Sequence, residues 1–271
     1  MPTENRGLSV VVLLLASAMA WPTLAGADPV SGPHETVDSR LTTTQPGAPT
    51  GSHFTGSYHA AGNPSADPPY MRRMVFYNPP GLRIDTSVPD RCTASDLALA
   101  TMGASACPAG SRIGGGTATA VFMGQKTTLP ADILNNENEQ IIIVRSPFVA
   151  SVSRGRINPD GSIAFASPTC FPALPQPACP DDVLQLGSDM SMPTLTRMAG
   201  GLVRSYLTTP PACPVSGDWE TPIRFWWADG TTETVTTHQP CTRPATARHR
   251  PRHRKRARRA RSHENAHAAA V

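Results

Sequence analysis

Short apolar runs bounded by turn-forming residues dominate the middle of this 271-residue chain. Such runs are typical of β-strands, because β-branched and aromatic side chains suit a pleated surface. The clearest pair is Ile223–Trp227 and Thr231–Thr237, joined by Ala228–Gly230. The Asp-Gly step tolerates the positive φ of a tight turn, so this stretch predicts an antiparallel hairpin with Ile223, Phe225 and Trp227 on one face.

One segment predicts a helix instead. Thr93–Asp96 has the spacing of a capping box, Leu97–Met102 favours helix, and Gly103 can end it. With 21 glycines and 29 prolines, long helices are excluded, while a hydrophobic fraction of 39% suffices for a core. The fold class predicted is mainly β, an antiparallel β-sandwich-like domain with one short helix, stapled by disulfides and flanked by disordered termini. The other predicted strands are Met71–Tyr77, Leu82–Val88, Thr117–Met123, Gln140–Arg145, Val149–Ile157, Ser162–Ala166, Val183–Met192 and Leu202–Thr208.

The chain divides into four predicted segments. Residues 1–27 have the layout of a secretory signal peptide, with Arg6 before an apolar run and a small-residue site ending at Ala27. Residues 28–67 are rich in Pro, Gly, Ser and Thr and predict a linker. Within it, His53–His59 shows a weak alternation and is a candidate edge strand. Residues 68–241 are the β-rich domain, and residues 242–271 are a disordered Arg-rich tail.

The tail carries nine arginines, one lysine and one glutamate, whereas residues 28–241 carry a net negative charge. A run of like charges does not pack into a core, so the tail is expected to be solvated and to attract polyanions in a salt-dependent way. It holds no aromatic residue for stacking on bases. The predicted polyanion contacts are Arg248, Arg250, Arg252, Arg254, Lys255, Arg256, Arg258, Arg259 and Arg261.

Six cysteines in a chain with a signal peptide favour disulfides. Six cysteines allow 15 connectivities. The pairing preferred is Cys92 with Cys107, Cys170 with Cys179, and Cys213 with Cys241, because each pair flanks one local unit. Zinc is the alternative, but the domain has neither C-x-x-C nor H-x-x-x-H spacing, so no metal site is predicted.

Catalytic motifs are missing from the sequence. No serine has the G-x-S-x-G context of an α/β-hydrolase, H-E-x-x-H is absent, and the Gly114–Gly116 run lacks the Lys of a P-loop. An extracellular hydrolase remains the rival class. It would use either His238 beside a hydroxyl and a carboxylate or two of the carboxylates. The candidate carboxylates are Asp181, Asp182, Asp189, Asp218 and Glu220.

Three tryptophans are the candidate binding residues of the domain. Trp219, Trp226 and Trp227 cluster late in the chain, and indoles serve as platforms for sugars or partner surfaces. Alternation places Trp227 and Trp226 on opposite faces, so at most one or two rings would be open to a ligand. Core packing is the default for the others.

Four motifs resemble those of uncharacterised secreted proteins of high-GC Gram-positive bacteria. They are Arg91–Asp96, Ala106–Gly114, Cys213–Trp219, and Trp227–Gly230 with Pro240-Cys241. The likeness covers most of residues 70–241, and an Arg-rich end is frequent in that group. The resemblance implies secretion and the cysteine framework, and it brings no activity or catalytic residue.

The function expected is a secreted or envelope-associated, non-catalytic binding or structural module without a cofactor. Its tail would be an electrostatic anchor to an anionic envelope polymer or another polyanion. The alternatives are the hydrolase and a secreted, non-specific nucleic-acid binder, whose affinity would survive loss of the tail.

Overall fold

The computed structural model describes residues 28–122, 124–146, 149–167, 169–172 and 184–242. These residues form a mainly β structure with one short α-helix, α1 (Asp96–Met102), followed by the 3-10 turns Gly103–Ala106 and Ala109–Ser111. The strands are β1 (Val30–Ser31), β2 (Glu35–Leu41), β3 (Pro49–Thr50), β4 (Ser52–Tyr58), β5 (Met71–Phe76), β6 (Arg83–Ile84), β7 (Arg112–Phe122), β8 (Gln125–Asn136), β9 (Glu139–Arg145), β10 (Val149–Ile157), β11 (Ile163–Ala166), β12 (Thr169–Pro172), β13 (Leu184–Met192), β14 (Thr196–Ala199), β15 (Leu202–Ser205), β16 (Leu207–Thr208), β17 (Asp218–Trp227) and β18 (Thr232–Pro240).

Twelve strands form one continuous antiparallel sheet in the order β1-β2-β4-β13-β7-β8-β9-β10-β11-β5-β17-β18, and β12 also pairs with β10. Strand twist curls this sheet until β18 lies against β2. Side chains bridge the two strands, since Gln239 accepts from the Leu41 N–H at 2.6 Å and donates to its carbonyl at 2.9 Å. The sheet is therefore nearly closed and barrel-like, which differs from the predicted pair of sheets packed as a sandwich.

The outer face of β8, β9 and β10 is covered by α1. Leu99 of the helix and the disulfide residue Cys92 pack with Leu134, Ile141 and Ile143, all essentially inaccessible to solvent. Because side chains alternate along a strand, Gln140, Ile142 and Val144 of β9 point to the inner face. Ile141 and Ile143 are thus buried under α1, whereas Ile142 faces the interior and is half-buried.

Arg154 fixes α1 to the sheet. Its guanidinium donates to Asp96 in the first turn of α1 at 2.6 Å, to Glu139 at 2.7 Å and to the Ala94 carbonyl at 3.0 Å. These charged partners together raise the pKa of the Arg154 guanidinium, although its partial burial opposes that shift. A planar guanidinium with five donors can satisfy all three acceptors at once.

Two clusters fill parts of the interior. One is aromatic and contains Tyr58, Phe225 and Trp227 beside Val37 and Val235. The other contains Ile113, Ile133, Tyr206 and Leu207. Leu207 belongs to β16 of a small three-stranded sheet, β3-β16-β6, and through it this small sheet packs against the main sheet. A separate two-stranded sheet is formed by β14 and β15.

The predicted hairpin is confirmed as β17 and β18, with Ile223, Phe225 and Trp227 all buried on the inner face. The predicted helix is also confirmed, and the Gly103 N–H bonds to the Leu99 carbonyl at a φ of 66°. Its N-cap is Ser95, whose hydroxyl accepts from the Ala98 N–H at 3.3 Å, and not Thr93 as the capping-box pattern suggests.

The linker prediction for residues 28–67 is wrong. This segment supplies β1 to β4, and β4 is an internal strand paired with both β2 and β13. Polar, Gly-containing strands were mistaken for a linker because their apolar residues are few, although Val37 and Tyr58 are buried. The folded body therefore begins near Val30.

Two predicted disulfides are confirmed, Cys92–Cys107 and Cys213–Cys241. The third predicted bridge, Cys170–Cys179, lies outside the described residues because Cys179 and the side chain of Cys170 are not among them. Disulfides persist in oxidising compartments, so the bridges favour an extracytoplasmic environment. No helix in the described part of the chain is long and apolar enough to cross a membrane.

Candidate functional site

The curled sheet encloses a cavity of about 220 Å³. It borders both interior clusters, and its wall comes from most strands of the main sheet. Apolar side chains form most of that wall, including Phe54, Met74, Phe76, Leu129, Ile133, Ile142, Val144, Phe165, Met190 and Met192.

Small inner-face residues leave this space open. Ala118 and Ala120 of β7, Ser151 and Ser153 of β10 and Ser188 of β13 all line it. A sheet of this many strands is too wide for such short side chains to fill its centre. The cavity therefore follows from small residues at inward positions of the neighbouring strands β13 and β7 and of β10 further along the sheet.

Several large apolar side chains face the cavity without being fully buried. Phe54, Met74, Phe76 and Leu129 are only half-buried, in contrast to the closed aromatic cluster beside them. Interior packing normally leaves few voids larger than a water molecule. Apolar surface left open inside a fold is the property that ligand-binding cavities share.

Polar side chains are a minority of the wall, and Arg40 and Arg73 are its two arginines among the described residues. Arg40 is paired with Asp38 at 2.7 Å, and the Arg73 guanidinium lies over the Trp226 ring, so both charges already have partners.

Two glutamine side chains make hydrogen bonds at the wall. Gln140, which is buried, donates to the Tyr206 hydroxyl at 3.0 Å. Gln239 closes the wall between β18 and β2 through its bonds to Leu41. No Asp or Glu is among the described residues that line the cavity. The site therefore suits a mainly apolar, uncharged ligand with a hydrogen-bonding group.

The structure separates the three candidate tryptophans. Trp219 lines the cavity, and its indole N–H points to the Ala212 carbonyl at 3.4 Å. Trp227 is buried, stacks on Phe225 and donates to Glu233 at 3.1 Å. Trp226 faces outward. The guanidinium groups of Arg73 and Arg224 lie 4.9 and 4.8 Å from its ring centroid.

These positions do not form one aromatic platform. Alternation along β17 correctly predicts that Trp226 and Trp227 point in opposite directions. Two guanidinium groups over one indole are a cation–π arrangement, in which the protein's own side chains already contact the ring. A binding role for each tryptophan remains a prediction, and Trp219 is the one that contacts the cavity.

A buried acidic cluster was missed by the sequence analysis. Glu35 of β2 is fully buried beside Glu233 of β18, and His34 bonds to Glu233 through Nδ1. The His34 Nε2 lies 3.5 Å from Asp229 in the β17–β18 turn. Along β18, Glu233 lies two residues before the buried Val235, and this alternation in the sequence indicates that Glu233 points inward. No such pattern marks Glu35 and His34, which lie in the segment predicted to be a linker.

The two glutamates have opposite pKa shifts. Burial, followed by the interaction with Glu233, raises the pKa of Glu35 to about 9. The pKa of Glu233 is lowered although burial opposes this, because Glu35, His34 and the Trp227 indole all favour its ionised form. Glu35 is therefore a neutral acid at pH 7 and Glu233 a carboxylate. Neither lines the cavity, so the pair joins β2 to β18 inside the protein.

The hydrolase candidates do not converge in the described residues. His238 lies 3.9 Å from Glu220, with both side chains about half exposed. Asp189 pairs with His53 at 2.9 Å on the outside of the sheet. Asp181, Asp182 and all the predicted polyanion contacts of the tail lie outside the described residues. Among the described residues, no group of three His, Cys, Asp or Glu side chains is arranged to hold a metal ion.

No protein-family model, curated protein or solved structure matches this chain.

Proposed function

We propose that this protein is a secreted, non-catalytic binding module that holds a small, mainly apolar ligand inside its curled sheet. The observation that carries this proposal is the cavity of about 220 Å³, several of whose large apolar wall side chains are only half-buried. An apolar cavity of about 150 Å³ stays dry and accepts benzene. By proportion, this one suits an uncharged ring compound or short chain of roughly ten non-hydrogen atoms.

The Arg-rich tail completes the proposal as an electrostatic anchor. Its nine arginines and one lysine would hold the module at anionic polymers of the cell envelope, with an attraction that falls as salt rises. The anchor sets the location and the cavity sets the ligand, so the two parts can be tested separately.

The cavity is tested by calorimetric titration of the mature protein with neutral ring compounds, such as toluene and 1-naphthol. Replacing Ala120→Leu puts a larger side chain into the cavity and is expected to weaken binding at least about tenfold, because the ligand loses the volume it occupies. Ala164→Leu is the matched control, since Ala164 lies between the inward-facing Ile163 and Phe165 and points away. Absence of binding by every compound, or equal loss in both variants, would disprove the ligand site.

The anchor is tested by release from isolated envelopes as salt rises from about 50 mM to 1 M, where electrostatic screening tightens several-fold. The comparison is a chain that ends at Thr242, because the Thr242 N–H still bonds to the Thr44 carbonyl at 2.8 Å and belongs to the folded body. Salt-dependent retention that needs the tail supports the anchor. Retention of the shortened chain at high salt would assign binding to the body.

A further inference from the structure

The hairpin of β14 and β15 projects as a separate two-stranded sheet. Its strands pair with each other and with no other strand in the described ranges. Gly200 and Gly201 form its turn, both with positive φ. An isolated two-stranded hairpin is marginal in water, and no strand of the described body extends this one into a larger sheet.

The tip of this hairpin exposes apolar side chains. Met198, Leu202 and Val203 are 65%, 72% and 63% exposed. The register places Met198 opposite Val203 and Ala199 opposite Leu202. Directly opposed residues share a face, and successive pairs alternate, so apolar side chains occupy both faces of the hairpin.

Apolar exposure on two faces discriminates between possible partners. A groove on a protein covers one face of a hairpin and leaves the other in water. A lipid phase surrounds the tip and removes both faces from water at once. Two residue pairs and a turn reach roughly 7–10 Å at the strand rise, which matches the 5–10 Å to which interfacial segments bury.

Charge at the base of the tip fits the same partner. Arg197 lies directly opposite Arg204, and both are half-exposed. Each arginine donates from one terminal nitrogen to an aspartate. Arg197 bonds to Asp90 at 3.2 Å and Arg204 bonds to Asp85 at 2.6 Å. A guanidinium has five donors, so each arginine keeps donors for a lipid phosphate at the level where the apolar tip ends.

We propose that the β14–β15 hairpin inserts its tip shallowly into a lipid bilayer that carries anionic phosphate headgroups, with Arg197 and Arg204 at the phosphates. The insertion is shallow because the outer edges of both strands carry unpaired backbone groups, which are costly in the hydrocarbon core. This membrane contact is independent of the cavity and of the ligand proposed for it. It is also distinct from the tail, because its apolar part does not weaken with salt.

The test is co-sedimentation of the full mature chain with vesicles of phosphatidylcholine alone or mixed with phosphatidylglycerol. At about 1 M salt the Debye length falls to about 3 Å, which removes the long-range attraction of the tail. The wild-type protein is expected to stay bound under that condition. The variant Met198→Ser/Leu202→Ser/Val203→Ser is expected to bind about 100-fold more weakly, because three side chains lose their transfer from water.

The matched control is Leu97→Ser/Met102→Ser/Val215→Ser, which removes three apolar side chains that are also exposed but lie elsewhere on the body. It is expected to bind as the wild type does. Near-ultraviolet circular dichroism checks that both variants keep the fold, as substitutions at exposed sites should. A Leu202→Trp variant adds a depth measurement, since lipids brominated high on the acyl chain should quench its fluorescence.

Three outcomes would overturn the proposal. The first is equal binding of the wild type and the hairpin variant at high salt, and the second is no wild-type binding at high salt. The third is a concentration-dependent dimer that the hairpin variant abolishes while vesicles are not bound, which would assign the tip to a second copy of this chain.

Discussion

The buried pair of Glu35 and Glu233 makes the stability of this fold depend on pH. Glu35 has an ordinary pKa of 4.5 when the chain is unfolded and a pKa of about 9 in the folded protein. Between these values the folded state holds a proton that the unfolded state has lost. Stability therefore falls as pH rises through this window, by up to about 1.4 kcal/mol per pH unit.

At pH 7 the accumulated cost is roughly 3 kcal/mol, because the carboxyl has been kept neutral over about 2.5 pH units above its ordinary pKa. Glu233 acts in the opposite direction. Its pKa is lowered in the folded protein, so it contributes stability that is present above 4.5 and lost as pH falls below that value. The two effects together place the maximum of stability on the acidic side, near the ordinary glutamate pKa.

The perturbation that tests this is Glu35→Gln. The amide is neutral at every pH and, like the protonated acid, it places no second negative charge beside Glu233, so the free energy of unfolding at pH 7 is expected to rise by up to roughly 3 kcal/mol. The decline in the free energy of unfolding that the wild type should show between about pH 5.5 and 8.5 is expected to vanish in this variant. Urea unfolding followed by tryptophan fluorescence, with disulfides intact, measures both quantities.

Glu220→Gln is the control, because Glu220 lies on β17 with its side chain about half exposed. It should keep the wild-type pH slope. The reasoning is refuted if the wild type and Glu35→Gln show the same slope, since the proton held by Glu35 would then not be linked to folding.

Two further variants test the sheet and the helix attachment. Gly116→Ala is expected to destabilise the fold by about 3 kcal/mol in urea unfolding, because the added Cβ would lie 1.9 Å from the Asp189 carbonyl oxygen of the paired strand. The control is Thr117→Ala at the exposed neighbouring position, which should cost little. Similar losses in both variants would mean that β7 and β13 do not approach so closely. Removing the Cys92–Cys107 bridge by a double change to alanine is expected to cost about 3 kcal/mol, since it closes a loop with a sequence separation of 15. A loss below about 1 kcal/mol would show that the packing around α1 holds that loop without the bridge.

Features specified by neighbouring residues could be predicted. The β17–β18 hairpin depends on an Asp-Gly turn and on alternation over ten residues, and both are local. The helix α1 was found for the same reason, since its end requires a residue that tolerates positive φ and Gly103 supplies it. The pairing of Cys92 with Cys107 follows from their position on either side of that helix.

Strands stabilised by distant neighbours could not be predicted. β2 and β4 are polar and carry few apolar residues, so their strand structure depends on being held between other strands. β8 was missed because Pro130 interrupts its pattern, yet Pro130 lies opposite Thr117 within a strand of twelve residues. Pairing with β7 and β9 outweighs the local preference there.

By itself, the sequence determined the mainly β class, the short helix, two local disulfides and the separation of a basic tail from an acidic body. Each of these depends on composition or on residues close together in the chain. Only the tertiary structure decided the closing of the sheet, the cavity and the Glu35–Glu233 pair. Each of these requires β2 to meet β18 across almost the whole chain, and a contact between residues so far apart in sequence leaves no periodic pattern in either strand.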